Sequence, residues 1–299
     1  MRSQKVKFIG ACVGSGSHDL GTRMGPQKIA KEFPAFNIDL LFEEMSGMHD
    51  QALAGLARFN SQLAQKTFLS KIHGDFPVVI GGDHSCAIGT WSGVSAFYGR
   101  KMGLLWIDAH MDAHTFSTSE TGNIHGMPLA ALLGHGNPSL TQVMSMNPKV
   151  DPVKTVLFGI RSFESGEERL IKNIGVRVFK MDEIFERGFW TCWSEAIQIV
   201  SQNNQPYGVS IDLDGLDPEE IPGVGTPVAG GLKKSVVLKA VTSLLKDPSL
   251  SALEIVEYNP QFDVDFVSGQ FVVEICRRVA SLRGPQEMDA LFNEMKNAP

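Results

Sequence analysis

The sequence predicts an α/β fold in which helices cover both faces of a mostly parallel sheet. Three observations lead there. Short apolar runs without charge alternate with amphipathic stretches, glycines gather where those runs stop, and Asp and His cluster at the same ends. Apolar runs of this length suit strands buried on both faces. Strand and helix in alternation is the pattern of parallel crossovers.

Taken in order, a strand is expected over 6–11, then a helix over 50–73 with Leu53, Leu56, Phe59, Leu63 and Phe68 near helical spacing. Strands over 77–81 and 103–108 flank a helix over 85–97. A helix over 126–134 precedes a strand over 155–160, and a helix over 166–173 precedes a strand over 175–179. Helices over 190–202, 233–246 and 265–281 interleave with strands over 207–212 and 252–257. Gly81-Gly82, Gly122, Gly126 and Gly215 fall in the loops, where backbone must turn tightly. No linker or repeat divides the chain, so residues 1–299 are expected to form a single domain. Met288, Leu291, Phe292 and Met295 give the tail from Gln286 to Pro299 an amphipathic helical spacing, suited to capping the core or meeting a neighbouring subunit.

A net charge of −6 offers no basic surface, so a nucleic-acid partner is not expected. No apolar run approaches the ~18 residues of a membrane span, and the N-terminus lacks a signal-peptide core. The four cysteines, at Cys12, Cys86, Cys192 and Cys276, have no paired spacing. A thiolate zinc site or disulfide framework is therefore not expected, and a reducing cytoplasm is the natural compartment.

The densest chemistry is Asp108-Ala109-His110-Met111-Asp112-Ala113-His114, directly after the apolar run 103–107. If the chain stays extended there, Asp108, His110, Asp112 and His114 share one face. Such groups are costly to bury without a partner, and a divalent cation neutralises the carboxylates while accepting imidazole nitrogens. The plain alternative is a hydrophilic loop. Gly81-Gly82-Asp83-His84-Ser85 and Ser210-Ile211-Asp212-Leu213-Asp214-Gly215-Leu216-Asp217-Pro218 repeat the layout, each following an apolar run. Ligands bind beyond the carboxyl ends of strands in open α/β sheets. Three such strands would aim His84, Asp108, His110, Asp112, Asp212 and Asp214 at one point. Four aspartates and two histidines suit Mn(II), Mg(II) or Fe(II), and they exceed the needs of one ion. With two bridging aspartates they form a two-metal site that lowers the pKa of a shared water, a setting for hydrolysis.

Taken singly, Gly81-Gly82-Asp83 reads as a turn, Asp217-Pro218 as a helix start and Cys86 as a small buried thiol. Gly14-Ser15-Gly16 lies in neither phosphate-loop motif.

Together, the segments 81–85, 108–112 and 210–218 resemble, in order, the three signatures of the ureohydrolase family, whose members include arginase and agmatinase. Gly21-Thr22-Arg23-Met24-Gly25-Pro26, Gly225-Thr226-Pro227 and Glu254-Ile255-Val256-Glu257-Tyr258-Asn259-Pro260 resemble further family landmarks, so the likeness runs from about residue 8 to 282. It implies a three-layer α/β/α sandwich with a central, mainly parallel sheet, and two Mn(II) per subunit. One ion would be held by His84, Asp108, Asp112 and Asp212, the other by His110, Asp108, Asp212 and Asp214. A hydroxide bridging the ions would attack a guanidinium carbon. Glu257 would orient the guanidinium, Asp112 would pass a proton to the departing amine, and His125 would exchange protons with solvent.

The segment Ser119-Glu120-Thr121-Gly122-Asn123-Ile124-His125-Gly126-Met127-Pro128 resembles the arginase version, which implies that Ser119, Thr121 and Asn123 contact a substrate α-carboxylate, with Thr226 in a substrate loop. Glu164 takes the place of an Asp that helps hold the α-amino group, and His114 stands where arginases usually carry Asn. The expected reaction is L-arginine to L-ornithine and urea. Other guanidino substrates, such as agmatine, guanidinobutyrate or a guanidino acid, are the alternatives, ahead of a non-catalytic relative. Family analogy also implies a homo-oligomer, a trimer or hexamer.

Overall fold

Eight strands stand among residues 4–44 and 49–283, which the computed structural model describes. They are β1 (Val6–Cys12), β2 (Asp39–Phe42), β3 (Phe76–Gly81), β4 (Met102–Ile107), β5 (Val150–Ile160), β6 (Arg177–Lys180), β7 (Tyr207–Asp212) and β8 (Leu250–Val256). They form one sheet in the order β2-β1-β3-β8-β7-β4-β5-β6, parallel at every pairing. The helices are α1 (Gly25–Glu32), α2 (His49–Ile72), α3 (Ala87–Tyr98), α4 (Pro128–Leu132), α5 (Pro138–Thr141), α6 (Ser165–Ile174), α7 (Met181–Arg187), α8 (Phe189–Val200), α9 (Lys234–Leu244) and α10 (Val267–Arg283).

Every residue of β3, β4, β7 and β8 is buried, which is why these runs carry apolar residues on both faces. Val78 and Ile80, Leu105 and Ile107, Val209 and Ile211, and Leu253 and Ile255 pack on one side with residues of α1, α8, α9 and α10. On the other side Val79 packs with α2, while Leu104 and Trp106 pack with α3, α4 and α6. The result is the three-layer sandwich that the family resemblance implies.

The departures from expectation have local causes. α1 opens on Gly25-Pro26, where proline's fixed φ starts a helix, and only Ile29 anchors its last turns in the core. β2 is a half-exposed edge strand of four residues, too short to show as an apolar run. β5 starts at Val150, earlier than its charge-free part, because residues 151–154, which are partly exposed, extend it. α7 follows β6 without a gap, so no loop marks its start. The tail from Gln286 to Pro299 lies outside the described residues. Among the described residues, no helix is long and apolar enough to cross a membrane.

The arrangement that matters for chemistry is central. β3, β8, β7 and β4 are consecutive in the sheet, and all four end at the same edge.

Candidate metal centre

Each of these strands stops where a polar side chain takes over the backbone's hydrogen bonds. After β3, a Cβ on Gly82 would lie 1.8 Å from the Val13 carbonyl oxygen, so only glycine lets the chain pass the end of β1. Asp83 then caps the turn at His84–Cys86, accepting the Ser85 N–H at 2.9 Å and the Gly16 N–H at 2.8 Å. After β4, Asp108 accepts the His110 N–H at 2.7 Å. At the end of β7, Asp212 caps Leu213–Gly215 by accepting the Asp214 N–H at 2.8 Å. These local caps hold the ligand-type residues at fixed angles beyond the sheet.

Two groups result. Single donor atoms from His84, Asp108, Asp112 and Asp212 lie within 4.8 Å of one another, all buried, and so do atoms from Asp108, His110 and Asp214. His84 Nδ1 stands 3.3 Å from Asp108, 2.9 Å from Asp112 and 3.0 Å from Asp212, yet this buried nitrogen makes no hydrogen bond. His110 Nδ1 lies 3.6 Å from Asp108 and 3.1 Å from Asp214.

The electrostatics are those of a crowded anionic cage. Burial, then repulsion from Asp108, pushes the Asp112 carboxyl up to about 6. Burial, then Asp214 and Asp108, pushes Asp212 well above the carboxylate range. Burial pulls both imidazoles down, but carboxylates override it, holding His84 well above its ordinary value and His110 up at about 12. Protein groups alone balance this cluster only by taking up protons. Divalent cations would bring the same positive charge, and the oxygen-rich donor set with imidazole fits Mn(II), Mg(II) or Fe(II). The orphaned, inward-facing His84 Nδ1 fits a ligand role equally well.

A pocket opens above the cage, lined by His110, Asp112, His114, Ser119, Glu120, Thr121, Asn123, His125, Gly126, Glu164, Glu167, Asp212, Asp214, Thr226 and Glu257. Glu257, just past β8, accepts the His84 N–H at 2.8 Å and lies 3.1 Å from His125 Nδ1. Burial pulls His125 down, but Glu257 overrides it and holds the imidazole at about 9. Asp112 and Glu257 both have left-handed backbone, with φ of +50° and +62°. Strain of this kind in non-glycine residues collects at functional sites. The pocket therefore unites all nine residues expected around substrate, including Ser119, Thr121 and Asn123 on its rim. The Thr226 hydroxyl is spent on Asp214 Oδ2, at 2.8 Å.

One expectation fails in its physics. Residues 108–114 do not continue the strand, because β4 ends at Ile107 and Asp112 turns left-handed. His114 therefore leaves the cage. Its Nε2 lies 2.8 Å from Glu164 and 3.3 Å from Glu167, while Nδ1 meets the Thr118 hydroxyl at 3.1 Å.

The supporting roles of the residues around the cage escape sequence reading, although Ser210 opens the third signature. The Trp106 indole N–H donates to Asp108 Oδ2 at 2.8 Å, and its ring stacks on His84 with centroids 4.0 Å apart. Ser210 Oγ lies 2.9 Å from His84 Nε2. Buried Glu167 accepts the Ala113 N–H at 3.0 Å, and Arg161 donates to the carbonyls of Asp214, Gly215 and Leu216. In a strand over 103–108, alternate side chains share a face, so Trp106 falls on the Asp108 side, which is the one signal available beforehand.

The profile of the Arginase family matches residues 4–281. An arginase of Bacillus caldovelox is 41% identical over 275 residues, covering 86% of this chain and 92% of that protein. The crystal structure of arginase from Bacillus subtilis has a TM-score of 0.84 at 35% identity, covering 92% of this chain and 98% of that one. That of Entamoeba histolytica arginase in complex with L-ornithine has a TM-score of 0.83 at 28% identity, covering 93% and 99%.

Proposed function

The chain belongs to the arginase family and is a ureohydrolase, and from that premise we propose that it cleaves L-arginine to L-ornithine and urea with two Mn(II) ions per chain. His84, Asp108, Asp112 and Asp212 would hold one ion, and His110, Asp108, Asp212 and Asp214 the other. When bound, the ions supply water ionised at neutral pH as the nucleophile toward the guanidinium carbon.

The remaining work falls to the chain's own side chains. Glu257 Oε1 is fixed by the His84 N–H and His125, which leaves Oε2 to pair with a guanidinium N–H. Asp112 sits in the pocket floor, where a carboxyl can pass a proton to the departing amine, since an amine leaves poorly as an anion. His125 bridges Glu257 and the pocket, placed to exchange protons with solvent. Ser119, Thr121 and Asn123 offer hydroxyl and amide groups to an α-carboxylate at the rim.

The observation that carries the proposal is convergence: six ligand-type side chains gather beneath a rim of small hydroxyl and amide residues. The L-ornithine in the Entamoeba relative agrees with an amino-acid product. A second reading draws on the His114–Glu164 contact. That bond occupies the carboxylate expected to hold an α-ammonium, and a guanidino acid without the ammonium, such as guanidinobutyrate, would leave it intact.

Urea release from arginine, agmatine and guanidinobutyrate, measured in parallel with added Mn(II), separates these readings. Arginine is expected to give the highest kcat/KM. Faster turnover of agmatine would overturn the α-carboxylate assignment, and faster guanidinobutyrate would favour the second reading.

Family analogy further gives a homo-oligomer, trimer or hexamer. A cytoplasmic setting agrees with four buried, free thiols.

A further inference from the structure

Glu254, in the middle of β8, is a fully buried carboxylate that neither ligand group uses. It sits beside Ser210 of β7 in register, and β7 in turn sets Ser210 beside Trp106 of β4. All three project to the side of the sheet covered by α3, the same side as the His84 ring.

With Glu254 ionised, the hydrogen bonds in this row run in one direction. An indole N–H can only donate, and that of Trp91 donates to Glu254 Oε2 at 3.0 Å. The Ser210 hydroxyl donates to the same oxygen at 2.7 Å. With its proton spent there, Ser210 Oγ must accept, and the donor 2.9 Å away is His84 Nε2–H. With the Nε2 proton held by Ser210, Nδ1 is the nitrogen left for a cation, and it faces Asp108, Asp112 and Asp212. Ring stacking on Trp106 fixes the plane of the imidazole, and the Ser210 bond fixes its rotation within that plane.

We propose that Glu254 is a positioning residue for the metal centre: acting through Ser210, it locks His84 in the Nε2–H form and makes its Nδ1 a stronger donor to the cation in the His84 group. This rests on the two-ion reading above. The physical basis is general. A ligating histidine whose other nitrogen donates into an anionic chain is oriented and made more basic, and loss of such a partner typically lowers metal affinity about 10- to 100-fold. Buried chains of hydrogen bonds also polarise one another.

The test is Mn(II) titration of the metal-stripped protein, by calorimetry and by competition with a fluorescent chelator, for the parent, Glu254→Gln and Ser210→Ala. The glutamine can keep an acceptor oxygen for Trp91 and Ser210 while losing the charge. Ser210→Ala cuts the link with a small change in volume. Both are expected to bind one of two ions about tenfold more weakly, with the other ion unchanged and the circular-dichroism spectrum that of the parent. Parent-like affinity for both ions in Ser210→Ala, or in a folded Glu254→Gln, would overturn the proposal while leaving the two-ion reading in place. A parent that binds no Mn(II) would overturn both.

Discussion

Asp112→Asn is expected to leave a folded protein whose release of urea from arginine falls by roughly 10³-fold. Asparagine matches aspartate in shape, and the Asp112 backbone carbonyl, which accepts the N–H groups opening α4, is untouched. What disappears is one charged ligand and one proton carrier. The buried cage holds four aspartates against two imidazoles, so removing one negative charge relieves repulsion in the metal-free protein. Metal-stripped Asp112→Asn should therefore melt at or above the parent's temperature, and Mn(II) should raise its melting temperature less than it raises the parent's. Urea assays beside melting curves with and without Mn(II) check this. A variant with near-parent activity would remove Asp112 from the chemistry.

Glu257→Gln should cost about 10²-fold in kcat/KM for arginine while binding Mn(II) as the parent does. Glutamine can still accept from the His84 N–H, so the strained turn after β8 keeps its anchor. It cannot pair its charge with a guanidinium. Because Glu257 belongs to neither ligand group, the ions should stay. Loss of metal together with activity would instead assign Glu257 to the cage. The contrast between the two variants separates ion binding from substrate orientation.

The sequence makes the cage legible because each ligand pair lies within a few residues of a strand end. His84 follows Gly81-Gly82, Asp108 follows Ile107, and Asp212 with Asp214 closes β7. A short charge-free run followed by Asp or His needs no tertiary knowledge to stand out. Glu257 is a different case: only its family landmark marks it, since a single acidic residue after a strand has no local pattern. The hydrogen bonds that link Trp91, Glu254, Ser210 and His84 are not legible, although His84, Ser210 and Glu254 stand in family segments. They depend on the register of β7 against β8 and on α3 crossing the sheet, and residues 91 and 254 carry no trace of that pairing. His114 misleads for a similar reason. Its spacing from Asp112 suggests a shared face, but a left-handed backbone at Asp112 redirects it to Glu164. α1, β2 and α7 pass unnoticed because each is eight residues or shorter, too brief for a period to emerge.

Two cations caged at the carboxyl ends of β3, β4 and β7 should be visible by anomalous diffraction from crystals grown with Mn(II). Two peaks per chain are expected, about 3.5–4 Å apart, one beside His84 Nδ1 and one beside His110 Nδ1. A single peak, none, or peaks only where His114, Glu164 and Glu167 bring donor atoms within 4.8 Å of one another would rule out the two-ion cage.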